Sequence, residues 1–199
     1  MAKADTKVRV LLAAKSVFSR MGYKAASVSD ILVEANVARG TFYSCFPNKR
    51  QVMLELVSGV FKALYESSAN ILAGDGPSIL ESKMRDSLEA SYRLLLDNRG
   101  VMTVYFREAF RSDPGFYAIW DDFERRMIAL FSEILARGAA SGAFRELDRS
   151  LVSRAMFMLF LQVPYWDILL GGMAEIDMAT MAGEMSRFII GGITSRPEK

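Results

Sequence analysis

Apolar residues recur at the spacing of α-helices along this chain, and no segment alternates convincingly as a β-strand. The first apolar stripe contains Val10, Ala14, Val17 and Phe18, and its helix is expected to end at Gly22. Later stripes are separated by turns rich in glycine, proline and asparagine. They predict helices near residues 78–97, 101–111, 116–138, 149–170 and 177–193. The sequence therefore predicts an all-α fold of about nine helices.

Two short helices joined by a sharp turn are predicted after the first stripe. Ser27 and Asp30 have the spacing of a capping box at the start of the first of these helices. Asn36 follows at the turn, and asparagine adopts the left-handed conformation more readily than most residues. In the second helix, Phe42 and Phe46 fall on the inner face and leave a polar outer face. This arrangement is typical of a helix-turn-helix, whose second helix enters the major groove of DNA.

The polar face of this second helix carries residues suited to DNA contacts. Gly40 lets the backbone approach closely, while Thr41 and Tyr43 offer hydroxyl groups to phosphates. Arg39 is long enough for a bidentate contact with guanine. Arg39 is therefore the candidate for base recognition.

Two cations begin the next helix, where the helix dipole disfavours positive charge. Asn48 and Gln51 form a capping pair that places Lys49 and Arg50 in the first turn. Folding alone gives no evident reason for cations here. A phosphate docked at the helix N-terminus would explain them. We therefore predict a phosphate contact from Lys49.

The charge distribution favours a nucleic-acid partner. Residues 1–50 carry nine Lys or Arg against three Asp or Glu, a net charge of +6, whereas the rest of the chain has a net charge of −4. A basic first quarter on a mildly acidic body is the pattern expected when one end of a protein faces phosphate.

The composition disfavours several other classes of protein. The chain has no histidine and a single cysteine, Cys45, so it lacks the commonest general base and metal ligand and cannot form an internal disulfide. It shows no glycine-rich phosphate loop and no catalytic carboxylate cluster. We predict neither an enzyme nor a bound cofactor or metal. A charged N-terminus and apolar runs too short for a membrane helix favour a cytoplasmic protein without a membrane partner.

The run SVSDILVEANVARGTFYSCFPNKRQVMLELV resembles the N-terminal module of the TetR (tetracycline-repressor) family. The family pattern ends in a Gly-Thr-hydrophobic-Tyr element followed by Phe, Pro or Ser, and Lys, and the resemblance covers about residues 8–60. It implies a homodimeric repressor that binds a pseudo-palindromic operator and is released by a small-molecule effector. By position, the DNA contacts of the family fall on Ser27, Ser29, Arg39, Gly40, Thr41, Tyr43, Ser44 and Lys49.

The boundary between two predicted domains falls along the fourth helix. Residues 1–50 form the predicted helix-turn-helix domain, and residues 51–199 form the predicted effector-binding and dimerisation domain. The first domain departs from the family pattern at three positions. Ala38 stands where many relatives have a capping serine, which loses about 1 kcal/mol, Asn36 replaces a turn glycine, and Cys45 replaces a histidine or tyrosine.

The second domain contains a segment, residues 155–170, that is apolar nearly all round and should be covered on every side. One side is expected to line a large apolar pocket, which favours a hydrophobic or aromatic effector over a sugar or nucleotide. The candidate pocket residues, each of which is alternatively plain core, are Phe106, Phe110, Trp120, Phe123, Met127, Phe160 and Trp166. A stripe on the last helix is expected to form a four-helix interface with a second copy. This stripe consists of Met178, Met181, Met185, Phe188 and Ile189.

Three alternatives stay open from the sequence. The helix pair can be a plain structural hairpin, as in many helical proteins. A helical adaptor that binds protein partners and has lost DNA binding is suggested by the departures at Ala38 and Cys45. A DNA-binding activator has the same sequence features as a repressor.

Overall fold

The computed structural model describes residues 3–73, 77–110, 113–164, 169 and 177–194. These residues form nine α-helices: α1 (Lys3–Met21), α2 (Val28–Ala35), α3 (Arg39–Tyr43), α4 (Lys49–Ala69), α5 (Pro77–Asp97), α6 (Arg99–Val104), α7 (Pro114–Ala140), α8 (Arg149–Pro164) and α9 (Met178–Ile193). Within the same residues there is no β-strand, apart from an isolated antiparallel bridge between Phe144 and Thr194. The predicted all-α fold is confirmed. None of the helices described is long and apolar enough to cross a bilayer.

Two helical segments differ from the prediction for local reasons. The helix predicted to carry both Phe42 and Phe46 is shorter than expected. α3 ends at Tyr43, because the Ser44 hydroxyl donates to the carbonyl of Thr41 at 2.7 Å and Pro47 follows shortly after. The helix predicted near 101–111 is α6 continued by a π-helical segment, Tyr105–Ala109. A π-helix closes i→i+5 hydrogen bonds, and over five residues this difference is too short for the apolar spacing of the sequence to reveal.

The chain divides into two compact units. Unit 1 comprises Met1–Phe61 and Asn98–Trp120. Within it, α1 packs against α2 and α6. The approach of α1 to α6 is close at Gly100, where a Cβ atom would lie 2.3 Å from the Ser19 Oγ. The core of unit 1 is filled by fully buried apolar side chains, among them Val10, Val17, Phe18, Ile31, Phe42 and Phe46.

Unit 2 comprises Lys62–Asp97 and Asp121–Lys199. Within it, α5 packs against α9 and α8. Ser67 and Ser87 join α4 to α5, since each hydroxyl donates to the backbone carbonyl of the other residue, at 3.4 and 2.8 Å. The two units describe how compactly the chain packs. The predicted boundary at residue 50 separates the DNA-binding domain from the effector-binding domain, and it stays a prediction.

Candidate DNA-binding surface

The N-terminus of α2 is fixed by a capping box, as the sequence predicts. The Asp30 amide donates to the Ser27 Oγ at 3.2 Å, and the Ser27 amide donates to the Asp30 carboxylate at 2.8 Å. Hydrogen bonds from Ser27 also hold the pKa of Asp30 below its usual value. The start of α2 is therefore set by its own residues.

The turn between α2 and α3 also follows the prediction. Asn36 adopts the left-handed conformation, with φ 49° and ψ 55°. A contact that the sequence does not reveal supports this turn. The Arg9 guanidinium of α1 donates to the carbonyls of Ala35 and Asn36 at 2.7 and 2.8 Å. These bonds satisfy carbonyl groups that the end of a helix leaves without partners.

α3 has one buried and one exposed face. Phe42 is fully buried, whereas Arg39, Gly40 and Tyr43 are exposed. Phe46, predicted on the inner face of the same helix, is buried as well but lies beyond the end of α3. Arg39 has no hydrogen-bond or ion-pair partner among the residues that the structure describes. A Cβ atom at Gly40 would meet nothing within 4 Å, so packing inside the protein does not require glycine there. Both observations leave the outer face of α3 open to a partner.

The other predicted DNA contacts are accessible as well. Ser27, Ser29 and Ser44 are exposed, and Thr41 is half-buried. Their contacts with DNA, like those of the α3 residues, stay predictions. Cys45, between α3 and α4, is half-buried.

α3 lacks a side-chain cap, as the sequence indicates, since Ala38 lies at its N-cap and makes no capping hydrogen bond. Its backbone is already extended, with φ −68° and ψ 152°. We predict that Ala38→Ser raises the free energy of unfolding by about 0.5–1 kcal/mol, because the new hydroxyl can accept from amides in the first turn. Urea unfolding measures this gain. Ala25→Ser, in an exposed turn, is the control, and equal stabilities for the two variants would contradict the prediction.

The cations at the start of α4 do have a use in folding, so the expectation that folding gives no reason for them is wrong. The Lys49 ammonium donates to the carbonyls of Tyr23, Lys24 and Ala26, at 2.8, 3.2 and 2.6 Å. Arg50 binds the Asp113 carboxylate with two hydrogen bonds, at 2.7 and 2.6 Å. These partners lie far away in the sequence. The phosphate contact of Lys49 stays a prediction.

The Arg50–Asp113 pair gives unit 1 a pH dependence. Hydrogen bonds from Arg50, and next from the Gly115 amide, lower the pKa of Asp113 to about 2. The pKa of Asp113 in the folded protein lies below the unfolded value of about 3.9. The pair therefore stabilises the fold fully at a pH above the unfolded pKa. This stabilisation is lost as the pH falls towards 2.

We therefore predict that Asp113→Asn lowers the melting temperature at pH 7 and that the difference from wild type disappears as the pH approaches 2. Circular dichroism melts over a pH series test this. The control is Glu133→Gln, which removes an exposed ion pair with Arg137 and should change the melting temperature little. A constant difference for Asp113→Asn across the series would contradict the prediction.

Comparisons with known proteins identify the family. Residues 10–56 match the bacterial regulatory proteins of the tetR family, and residues 80–189 match the tetracyclin repressor-like C-terminal domain. The chain belongs to the TetR family. It is a transcriptional regulator of the helix-turn-helix type and not an enzyme.

Individual TetR-family proteins are similar over most of their length. The HTH-type transcriptional repressor KstR2 of Mycolicibacterium smegmatis is 29% identical over 153 residues, which cover 76% of this chain and 74% of that protein. The structure of NalD, the secondary repressor of the MexAB-OprM multidrug efflux pump in Pseudomonas aeruginosa, matches both chains over their full length with a TM-score of 0.78 and 20% identity. The ketosteroid transcriptional regulator KstR2 of Mycobacterium tuberculosis matches with a TM-score of 0.69 and 24% identity, covering 96% of this chain and 95% of that one.

The predicted pocket residues of this TetR-family chain are divided between the two units. Phe106, Phe110 and Trp120 form an aromatic cluster in unit 1, with ring centroids 5.4 to 6.1 Å apart. Phe123, Met127 and Phe160 are buried in unit 2. Trp166 lies outside the described residues. Their contact with an effector stays a prediction.

Unit 2 contains a small cavity whose lining is apolar apart from one serine. It has room for about one water molecule. Its lining consists of Ile71, Met84, Ser87, Leu88, Phe131, Met156, Phe160 and Ile189. Of the predicted pocket residues, Phe160 is the one that lines it. The sequence stripe on α5 that supplies Met84 and Leu88 indicates a buried face but not a cavity.

The predicted interface stripe of α9 occupies two faces of the helix. Met178 and Ile189 are buried in the core of unit 2. Met181 and Met185 are half-buried, and the Phe188 side chain is 69% exposed. Met181, Met185 and Phe188 are spaced at i, i+4 and i+7, so they share the outward face of α9.

Proposed function

We propose that this protein is a ligand-responsive repressor that binds a pseudo-palindromic operator as a dimer. The observation that carries the proposal is the exposed polar face of α3, opposite the buried Phe42. Recognition helices of this kind enter the major groove, and the two heads of a dimer read half-sites one helical turn apart.

The proposed DNA contacts divide into two kinds. Arg39 reads base edges, because it is exposed and without a protein partner among the described residues. Ser27, Ser29, Thr41, Tyr43 and Ser44 contact phosphates through hydroxyl groups, and Gly40 allows the backbone to come close. Phosphate contacts fix the position of the protein on DNA, whereas the Arg39 contact supplies sequence preference.

Dimerisation is proposed to use the outward face of α9. Met181, Met185 and Phe188 form an apolar stripe there, and α9 is anchored from behind by its packing against α5. Apolar side chains on a firmly held helix suit a self-complementary four-helix contact with a second copy.

The effector is proposed to be a hydrophobic or aromatic molecule that enters unit 2. The cavity there has an almost wholly apolar lining, with the Ser87 side chain as its polar member. A ligand larger than water must expand the cavity, so binding changes the packing of the helices around it. Similarity to a ketosteroid transcriptional regulator supports an apolar ligand.

The proposal is tested by fluorescence anisotropy of the protein with the promoter fragment upstream of its own gene and with a scrambled duplex, over a salt series. A preference for the promoter of about a thousandfold with a steep salt dependence is expected. Equal, weak binding to both duplexes, together with failure of a genome-wide selection for binding sites, would favour a helical protein–protein adaptor that has lost DNA binding.

A further inference from the structure

The loop between α1 and α2, residues 22–26, is held from two sides within unit 1. It begins at Gly22, where φ is +83°, and leads directly into Ser27, the N-cap of α2. A short loop of this kind has few backbone hydrogen bonds of its own. Its main internal bond joins the Ala26 amide to the Gly22 carbonyl at 3.3 Å. Its conformation therefore depends on contacts from other elements.

Lys49 of α4 holds one side of the loop. Its ammonium donates to the carbonyls of Tyr23, Lys24 and Ala26 and lies 4.8 Å from the centre of the Tyr23 ring. An ammonium has three protons, and the three carbonyls engage all of them. A phosphate could bind this group only by displacing a carbonyl.

Glu108, in the π-helical segment after α6, holds the other side. Its carboxylate accepts a hydrogen bond from the Lys24 amide at 2.9 Å. The contact is close, because a Cβ atom at Gly22 would lie 2.5 Å from a Glu108 oxygen. The positive φ favours glycine here, and a larger residue would also make the Glu108 carboxylate shift. The Tyr23 ring completes this side through its edge contact with Phe116, at 5.5 Å.

We infer that Lys49 and Glu108 are positioning residues, which clamp the 22–26 loop and thereby set where the N-terminus of α2 presents Ser27 and Ser29 to DNA. The inference rests on the proposed DNA binding, and it gives Lys49 a different role from a phosphate contact. The clamp also joins α2 to the segment after α6. Burial lowers the pKa of Lys49, whereas the fields of Glu108 and Asp30 act in the opposite direction and favour the ammonium that the carbonyls bind.

Hydrogen exchange tests the clamp without DNA. In Lys49→Met and Glu108→Ala, the Lys24 and Ala26 amides are expected to exchange roughly tenfold faster than in wild type. The Val37 amide, bonded to Leu32 in the next turn, should keep its rate. Lys24→Met removes a charge from the same loop without removing a clamp contact, and it should leave all three rates unchanged. Glu108→Gln keeps an acceptor and should restore most of the protection. Unchanged loop rates in folded Lys49→Met would overturn the inference.

DNA binding separates positioning from phosphate contact. Lys49→Met should weaken operator binding roughly tenfold while keeping the wild-type salt slope, whereas loss of a phosphate contact lowers that slope by about one. A salt slope of Lys49→Met that is lower than the wild-type slope by about one would overturn the inference.

A double-mutant cycle measures the coupling between Lys49 and Ser29 in operator affinity, which a loss of stability alone does not change. The cost of Ser29→Ala, on α2, should shrink in the Lys49→Met background, and the cost of Tyr43→Phe, on α3, should not. Full additivity at Ser29 would overturn the inference. If wild type itself shows no operator preference, the proposed function fails, while the exchange rates still report whether the clamp exists.

Discussion

Replacing Arg39 with alanine is expected to raise the Kd for the operator by about 10- to 100-fold and the Kd for a scrambled duplex by only a few-fold. A bidentate arginine–guanine contact discriminates between bases by about 1–3 kcal/mol, whereas the loss of one charge weakens all sequences alike. The fold should be unaffected, because the Arg39 side chain is exposed and has no partner among the described residues. Anisotropy titrations with both duplexes measure the two constants.

The matched control for Arg39→Ala is Lys24→Met, which removes one positive charge from the same unit at another exposed position. It should change the two Kd values by a similar, small factor. If Arg39→Ala also weakens both duplexes equally, base recognition lies elsewhere in the helix-turn-helix. Selection of binding sites with the Arg39 variant would then identify the base pair whose preference survives.

Phe188→Glu is expected to convert the proposed dimer into monomers, raising the dimer dissociation constant by at least about 100-fold. The substitution places a charge in a contact that must otherwise exclude water. The monomer should stay folded, since the Phe188 side chain is 69% exposed and contributes little to the core of unit 2. Light scattering over a concentration series measures the change. Operator affinity should fall with it, because a single head loses the second half-site.

Ile79→Glu is the control for the dimer prediction. Ile79 lies on α5 of the same unit and is 50% exposed, so it receives the same charge away from the α9 face. It should remain dimeric. If Phe188→Glu has the same dimer dissociation constant as wild type, the dimer interface lies on another surface of the chain.

The sequence by itself determined the features that depend on residues a few positions apart. The capping box of Ser27 and Asp30 and the left-handed Asn36 follow from short-range hydrogen bonding and backbone preference. The inward direction of Phe42 follows from helical periodicity, whereas Phe46 is buried beyond the end of α3. These features, with the family resemblance, were sufficient to predict the helix-turn-helix and the all-α fold.

Only the tertiary structure decided which distant groups satisfy each other. Arg9 reaches carbonyls 26 and 27 residues away, and Arg50 pairs with Asp113 across 63 residues. No periodic pattern encodes such partners, because a side chain's charge and spacing do not specify which element packs beside it. The same limit explains Lys49, whose ammonium is held by the 22–26 loop, and α9, where apolar residues such as Ile189 and Phe188 follow one another but face the core and the solvent. Hydrogen bonds and backbone preferences among neighbouring residues determine the helices and their caps. The packing of each helix against distant elements determines which groups its side chains contact.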